Sequence, residues 1–255
     1  MGRLTRKVGV VALGRAANAL AMYAMYALAA RTWDKAQCEV FAAMWVLSNA
    51  LVPIFSLGLP TAVLYFFPRR EDVRGLALQG VGLALLSALV LGGMLHALGL
   101  SLLSVLHGED GLPAGIEGPL AVFIPYAVAL VAGGVCDALL VAAERAHWQA
   151  LLSLGTALGL VGAAALGLYI GLLPEQVLGL VSLVGLLRLV AGYVLVYRAL
   201  GTGRWAPGEG WSALLAYSRP IALNDAVGAL SRAVDRMVIL YFFTHDIFEI
   251  GRAHV

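Results

Sequence analysis

Long apolar runs, separated by short polar segments, make up most of the sequence. A helix needs about 20 apolar residues to cross the hydrocarbon core of a bilayer, and these runs reach that length. They lie at Val8–Ala30, Val40–Phe67, Leu76–Leu103, Leu120–Ala143, Ala150–Leu173, Val177–Tyr197 and Pro220–Phe243. The pattern predicts an all-α fold, a polytopic membrane helix bundle with about seven transmembrane helices.

Composition narrows the class further. Of the 255 residues, 61% are hydrophobic and 13% are charged, and a soluble domain of this size has no way to bury so much apolar surface. The runs are continuous, whereas the strands of a transmembrane barrel alternate apolar and polar residues. A net charge of +2 without a basic run does not support a nucleic-acid partner. The two cysteines indicate neither a disulfide framework nor a metal cluster.

The connecting segments predict the orientation of the chain. Cytoplasmic loops of membrane proteins are enriched in Lys and Arg. If the N-terminus is cytoplasmic, the outside loops hold only Arg31 and Lys35, and the inside segments hold Arg3, Arg6, Lys7, Arg69, Arg70, Arg74, Arg145, Arg198 and Arg204. We therefore predict a cytoplasmic N-terminus. The first run contains Arg15 and Asn18 and is too long for the apolar part of a signal peptide, so it is interpreted as a retained span.

Charged residues interrupt the seventh run. Asp225, Arg232, Asp235 and Arg236 fall on one helix face, because their spacings of seven, three and one residues bring them to similar angles. An ionisable residue at membrane depth is costly and seldom lies there without a partner or a task. Arg219, at the start of this run, is expected to extend its guanidinium to the lipid headgroups.

Three arginines lie near mid-depth on different predicted helices, namely Arg15, Arg188 and Arg232. Arginine stays charged, so each must face water, an acid or an anionic ligand. We predict a hydrated central cavity with positive walls, since guanidinium groups suit phosphate and carboxylate oxygens. The predicted substrate-binding residues are Arg15, Asn18, Arg188, Arg232 and Arg236, and the predicted counter-ion or gating residues are Asp137, Asp225 and Asp235.

Two structural alternatives stay open for the acidic residues. Asp235 could form an ion pair with Arg232 or Arg236 that only neutralises itself, and Asp137 could reach cytoplasmic water. No P-loop, H-E-x-x-H, G-x-S-x-G or C-x-x-C motif is present, and the histidines show no ligand spacing. Nothing in the sequence indicates an enzyme, a bound metal or a cofactor.

Three stretches resemble the same transporter family. They are Ala30–Trp33 with Asp34–Phe41, Ser56–Ala62 with Tyr65–Phe67, and Tyr217–Leu223 with Leu230–Arg236. In this order and spacing they resemble the polysaccharide or lipid-linked oligosaccharide flippases. These form the polysaccharide-transporter branch of the multidrug/oligosaccharidyl-lipid/polysaccharide (MOP) superfamily.

The resemblance implies a two-lobed, MATE-like transporter. Residues 1–200 would be the N-terminal six-helix lobe, 201–211 a cytoplasmic linker and 212–248 the first helix of an incomplete C-terminal lobe. The implied function is flipping of a lipid-linked oligosaccharide or polysaccharide precursor in the bacterial cytoplasmic (inner) membrane, by alternating access. The implied partners are a polyprenyl-diphosphate-linked saccharide, the bilayer, and a glycan polymerase with glycosyltransferases.

The end of the chain carries a separate expectation. Residues 249–255 look like the translation of a sequencing-adapter read-through, so we expect a truncated chain with a non-native tail. The alternative is a family-like turn into an eighth helix followed by a native stop.

Two other functions remain as alternatives. One is an ion-coupled multidrug/cation antiporter of the same superfamily. Such a protein needs an acid-dominated cavity, whereas arginines outnumber acidic residues in the predicted spans of this chain. The other is a non-transporting membrane scaffold of a glycan-assembly complex. In such a scaffold we expect no arginine at the central contact between the helices.

Overall fold

The described chain is all helical. The computed structural model describes residues 2–107, 115–201 and 210–242, with the side chains of 9, 11–14, 16–104, 115–201 and 210–231. The α-helices are α1 (Gly2–Thr32), α2 (Lys35–Phe55), α3 (Leu59–Phe66), α4 (Val73–His107), α5 (Glu117–Ala142), α6 (Ala146–Tyr169), α7 (Pro174–Leu200) and α8 (Trp211–Phe242). A 3₁₀ turn at Phe67–Arg69 follows α3, and no strand occurs in these ranges. The prediction of an all-α bundle is confirmed.

Five helical segments of the described chain are long and apolar enough to cross a membrane. They are Lys35–Arg69, Val73–Ser104, Glu117–Ala142, Ala146–Tyr169 and Pro174–Leu200. α1 and α8 have 31 and 32 residues and so have sufficient length, but they are not among the five. The sequence places more charged residues in α1 and α8 than in any other helix.

Exposed apolar stripes show which faces contact lipid. The stripes follow helical spacing on α6 and α7, at Leu151, Leu154, Leu158, Leu183, Leu187 and Val190. Contiguous apolar surface of this extent is rare on soluble monomers, whereas lipid tails solvate it without cost. The bundle is therefore built to lie in a bilayer.

The predicted second span, Val40–Phe67, lies within one membrane-crossing segment, Lys35–Arg69, but the helix is interrupted inside it. α2 ends at Phe55 and α3 begins at Leu59. Between them, Leu57 (φ 52°) and Gly58 (φ 63°) adopt left-handed backbone conformations, which cannot continue a right-handed helix. Pro60 then occupies the first turn of α3, where a missing N–H leaves no hydrogen bond unmade.

The seventh predicted span, Pro220–Phe243, is part of a longer helix. α8 begins at Trp211, next to the start at 212 that the resemblance implies, and contains Pro220 inside the helix. Proline has no N–H to donate to the carbonyl of Ala216, so the helix loses one bond of its ladder there. Pro220, which suggested the start of the span, is therefore a position inside a longer helix where one backbone hydrogen bond is missing.

α5 is the central helix of the bundle. It packs most extensively against α7 and α4 and also contacts α2, α3 and α6, while α1 packs mainly on α6. One buried cluster surrounds Phe41, Trp45 and Phe123, and a second surrounds Leu59 and Leu139. α8 lies against α2 and α3, so the interruption of the second span is close to the last helix.

One end of the bundle is rich in arginine, and we call it the basic end. It comprises the α3–α4 connection, the α5–α6 turn and the end of α7, with Arg69, Arg70, Arg74, Arg145 and Arg198. This is the end that the Lys and Arg distribution predicts to be cytoplasmic.

Candidate functional site

An ion pair joins the two helices that pack most closely at the centre of the bundle. Nη2 of Arg188 on α7 donates to Oδ2 of Asp137 on α5 over 2.5 Å. The Arg188 side chain is 11% exposed and the Asp137 side chain 28% exposed. Partnership offsets the cost of placing both charges among apolar helices. Of the predicted site residues with described side chains, these two are brought together.

The glycine one turn before Asp137 makes room for the guanidinium. A Cβ built on Gly133 would lie 2.9 Å from Nη1 of Arg188, closer than real Cβ atoms come to other atoms. A Cβ on the adjacent Gly134 would meet only Cγ of Pro60, at an ordinary 3.6 Å. Gly133 therefore forms part of the guanidinium site, and Gly134 does not.

Two further hydrogen bonds fix α7 against α5 around this pair. The hydroxyl of Ser182 donates to the carbonyl of Val122 over 2.5 Å, and the Tyr193 hydroxyl donates to the carbonyl of Ala132 over 3.3 Å. They lie along α7 on either side of Arg188. The guanidinium is thus held at a defined height between two rigidly joined helices.

Asn18 and Asp225 are half-buried and lie on other helices. Asn18 is on α1, which packs on α6, and Asp225 is on α8, which packs on α2 and α3. The side chains of Arg15, Arg232, Asp235 and Arg236 lie outside the described part of the chain, and so do residues 249–255. Their predicted roles remain predictions.

Sequence reasoning missed a polar stripe on α6. Gln149, Ser153 and Thr156 are buried on one face, with 4%, 2% and 7% exposure. Gln149 Nε2 donates to Ser153 Oγ, and a Cβ on Gly14 of α1 would lie 3.1 Å from Ser153 Cβ. Spacings of four and three residues would have identified this face, but short polar side chains are common in helix contacts within membranes.

The described residues offer no metal site. No group of three or more His, Cys, Asp or Glu side chains within them is placed to hold a metal ion. The chemistry that the described arrangement supports is the binding of an oxyanion by Arg188 or of a cation by Asp137.

Several solved structures share this fold. One is a MOP superfamily transporter from Pyrococcus furiosus, and the reverse polarity of its binding pocket is described as suggesting a different function. It aligns with a TM-score of 0.72 and 15% identity, over 89% of this chain and 52% of its own. The MATE multidrug transporter DinF-BH in complex with R6G aligns with a TM-score of 0.72 and 11% identity, over 97% and 58%. An outward-facing multidrug resistance MATE family transporter aligns with a TM-score of 0.68 and 15% identity, over 89% and 52%. No protein-family model and no curated protein matches the sequence.

Identities this low establish the fold alone. The chain spans about half of the length of the transporters it matches (52–58%). Fold and exposed apolar faces together define a multi-pass helical membrane protein. The three structures described are a MOP superfamily transporter and two MATE transporters, so the prediction of a MATE-like helical fold is confirmed.

Proposed function

We propose that this chain is part of a transporter that flips an anionic, lipid-linked saccharide across the bacterial cytoplasmic membrane. The substrate would be a polyprenyl-diphosphate-linked oligosaccharide or polysaccharide precursor, and the N-terminus would be cytoplasmic. Its diphosphate would face the arginines while its lipid tail stays in the bilayer. The neighbouring structures support transport, because every one of those described above is a transporter. Alternating access between two lobes is the mechanism that this architecture favours.

The observation that carries the proposal is the partly exposed Arg188–Asp137 pair. A guanidinium presents several donors in a fork and binds phosphate oxygens in two-point contacts. In this conformation Nη2 of Arg188 donates its hydrogen bond to the carboxylate of Asp137. A phosphate oxygen that reaches the pair competes with Asp137 for the same donor. The exchange keeps an anionic oxygen on the guanidinium, and the released Asp137 carboxylate takes the counter-ion or gating role assigned to it.

The remaining intramembrane charges supply the preference for an anion. Apart from the ion pair, the sequence places three arginines (Arg15, Arg232 and Arg236) and two aspartates (Asp225 and Asp235) in the predicted spans. One positive charge is therefore left without an acidic partner in this set. We assign the arginines and Asn18 to substrate binding, and the aspartates to counter-ion or gating roles.

Loss of glycan export tests these roles in the full-length gene product. In a strain that lacks its own flippase, Arg188→Ala is expected to lower export about tenfold or more, since it removes a charge-assisted contact. Arg198→Ala, at the exposed basic end, is the matched control and should keep wild-type export. Normal export by the Arg15→Ala, Arg188→Ala and Arg232→Ala variants would refute the cationic site. Genomic neighbours that encode a glycan polymerase and glycosyltransferases would identify the partners.

A cation antiporter is the second candidate, because two of the three structural neighbours described above are named as multidrug transporters. In that case Asp137, rather than Arg188, would contact the substrate. Asp137→Asn should then abolish efflux of a cationic dye. For a flippase, the same variant should retain binding of the anionic lipid, because Arg188 loses its competitor.

A further inference from the structure

An open groove lies between α5 and α7, near the end of the bundle that is opposite to the basic end. Its volume is about 450 Å³, which is in the range of sites that hold one small molecule. The residues that line it recur every three or four positions and so form one face of each helix. They include Gly118, Ala121 and Pro125 on α5, and Glu175, Ser182 and Leu186 on α7. Neither Arg188 nor Asp137 lines the groove, so it is distinct from the ion-pair site.

The carboxylate of Glu175 lies at the mouth of the groove that is furthest from the basic end. A Cβ built on Gly118 would lie 2.8 Å from Oε2 of Glu175 and 3.0 Å from Oε1, so the missing side chain of this glycine leaves room for the carboxylate. Within the described ranges, no basic side chain forms an ion pair with Glu175. The carboxylate is therefore a charged acceptor that is available to a ligand in the groove.

The side chains that line the groove offer no free hydrogen-bond donor. The hydroxyl of Ser182 already donates its hydrogen to the carbonyl of Val122. Pro125 has no N–H, so the carbonyl of Ala121 loses the donor that a regular helix would supply. A ligand that binds here must therefore bring the donors itself, and a positive charge on it would complement Glu175.

The apolar wall of the groove continues into the lipid-facing stripe of α7. Leu183 and Leu186 line the groove and are 53% and 40% exposed, and the exposed Leu187 and Val190 follow on the same helix. The groove is therefore open to the lipid phase. From Glu175 to Leu186 the helix rises about 16 Å, so a charged mouth is followed by an apolar wall of about the length of an extended alkyl chain. Headgroup and acyl chain follow one another in the same order in a phospholipid.

We propose that the groove between α5 and α7 holds a phospholipid with a primary ammonium headgroup, which is the chemistry of phosphatidylethanolamine. The ammonium donates to the carboxylate of Glu175, and one acyl chain lies along Leu183 and Leu186. A phosphatidylcholine headgroup carries a positive charge but no N–H donor. Phosphatidylglycerol has a net negative charge and is repelled by Glu175. This lipid site does not depend on the substrate that the protein transports.

Lipid binding by the purified full-length protein tests the proposal. The protein in detergent is titrated with phosphatidylethanolamine, phosphatidylcholine or phosphatidylglycerol of identical acyl chains, and native mass spectrometry counts the bound lipids. We expect phosphatidylethanolamine to bind about tenfold more tightly than the other two, because only its headgroup makes the charge-assisted hydrogen bond. Equal binding of the three lipids, or no bound lipid because the second lobe covers the groove, would overturn the proposal.

Two glutamates at the same end of the bundle provide a matched comparison. Glu175→Gln removes the charge at the mouth and should abolish the preference for phosphatidylethanolamine. Glu117→Gln, which is exposed on α5 but does not line the groove, should keep it. Gly118→Ala keeps the charge of Glu175 but displaces its carboxylate, so this variant should lose the preference as well. An unchanged preference in Glu175→Gln or in Gly118→Ala, or an equal loss in Glu117→Gln, would overturn the proposal.

Discussion

Arg188 illustrates how a charge is kept inside an apolar bundle. Its guanidinium has one carboxylate partner, a glycine that leaves space for it, and two hydrogen bonds nearby that hold the helices in register. The sequence predicted that Arg188 must face water, an acid or an anion, but not which. Asp137 lies 51 residues away in the chain, and only the relative rotation of α5 and α7 shows that the two side chains meet.

A double-mutant cycle measures the strength of this pair. Removing one partner of a buried ion pair leaves the other charge uncompensated, so Arg188→Leu or Asp137→Leu should each lower the free energy of unfolding by about 2–4 kcal/mol. The double variant should be less destabilised than the sum of the single variants, with a coupling energy of about 1–3 kcal/mol. Chemical unfolding in micelles checks this, and strictly additive effects would show that the pair contributes nothing.

Adjacent glycines provide a matched test of the guanidinium site. Gly133→Ala places a methyl group 2.9 Å from Nη1 of Arg188, so the end of this flexible side chain must shift relative to Asp137, and the variant should be less stable than Gly134→Ala. Gly134→Ala makes only an ordinary contact and should be neutral or gain up to about 1 kcal/mol from helix propensity. Thermal unfolding of both variants in the same detergent checks the difference. Equal effects would mean that Gly133 is an ordinary helix position.

At the scale of helices, the interruption between α2 and α3 is the feature that the sequence did not predict. The apolar pattern runs through Ser56, Leu57 and Gly58 without a polar residue other than the serine, so hydropathy alone predicts one span. The reason for the break is tertiary, since Gly58 must approach α8 too closely for a side chain. The other helices begin and end within a few residues of the predicted apolar runs, except that α8 begins well before Pro220.

Substitution of Gly58 tests this interpretation. Gly58→Ala meets both a positive φ and three contacts below 3.0 Å, so we expect destabilisation of about 1–3 kcal/mol. Gly162→Ala, within α6 and with no atom within 4 Å of the new methyl group, is the matched control and should be close to neutral. Unfolding midpoints in micelles give the comparison. A stable Gly58→Ala protein would mean that α8 does not dock on the break.

At the scale of the whole molecule, the distribution of charge predicts the orientation in the membrane. The basic end holds five described arginines, whereas the opposite end carries the exposed acidic residues Glu117 and Glu175. Composition and the apolar runs were sufficient to predict a helical membrane protein, and the resemblance of three stretches predicted its MATE-like fold. Neither could show how α1 and α8, the two helices with most charge, meet the rest of the bundle.

Thiol labelling checks the orientation. In a background with Cys38→Ser and Cys136→Ser, Glu175→Cys should react with an impermeant maleimide on intact cells. Glu71→Cys, exposed at the basic end, should react only after the cells are permeabilised, because the distribution of Lys and Arg predicts that the basic end faces the cytoplasm. The reverse pattern of labelling would show that the N-terminus is outside.

The direct measurement is flipping by the purified full-length protein in proteoliposomes, with a fluorescent polyprenyl-diphosphate oligosaccharide and a cationic dye as competing substrates. We predict that the anionic lipid crosses at a rate above that of protein-free vesicles, that the dye does not, and that Arg188→Ala abolishes the difference. Movement of the dye but not of the anionic lipid, or unchanged flipping by Arg188→Ala, would contradict it.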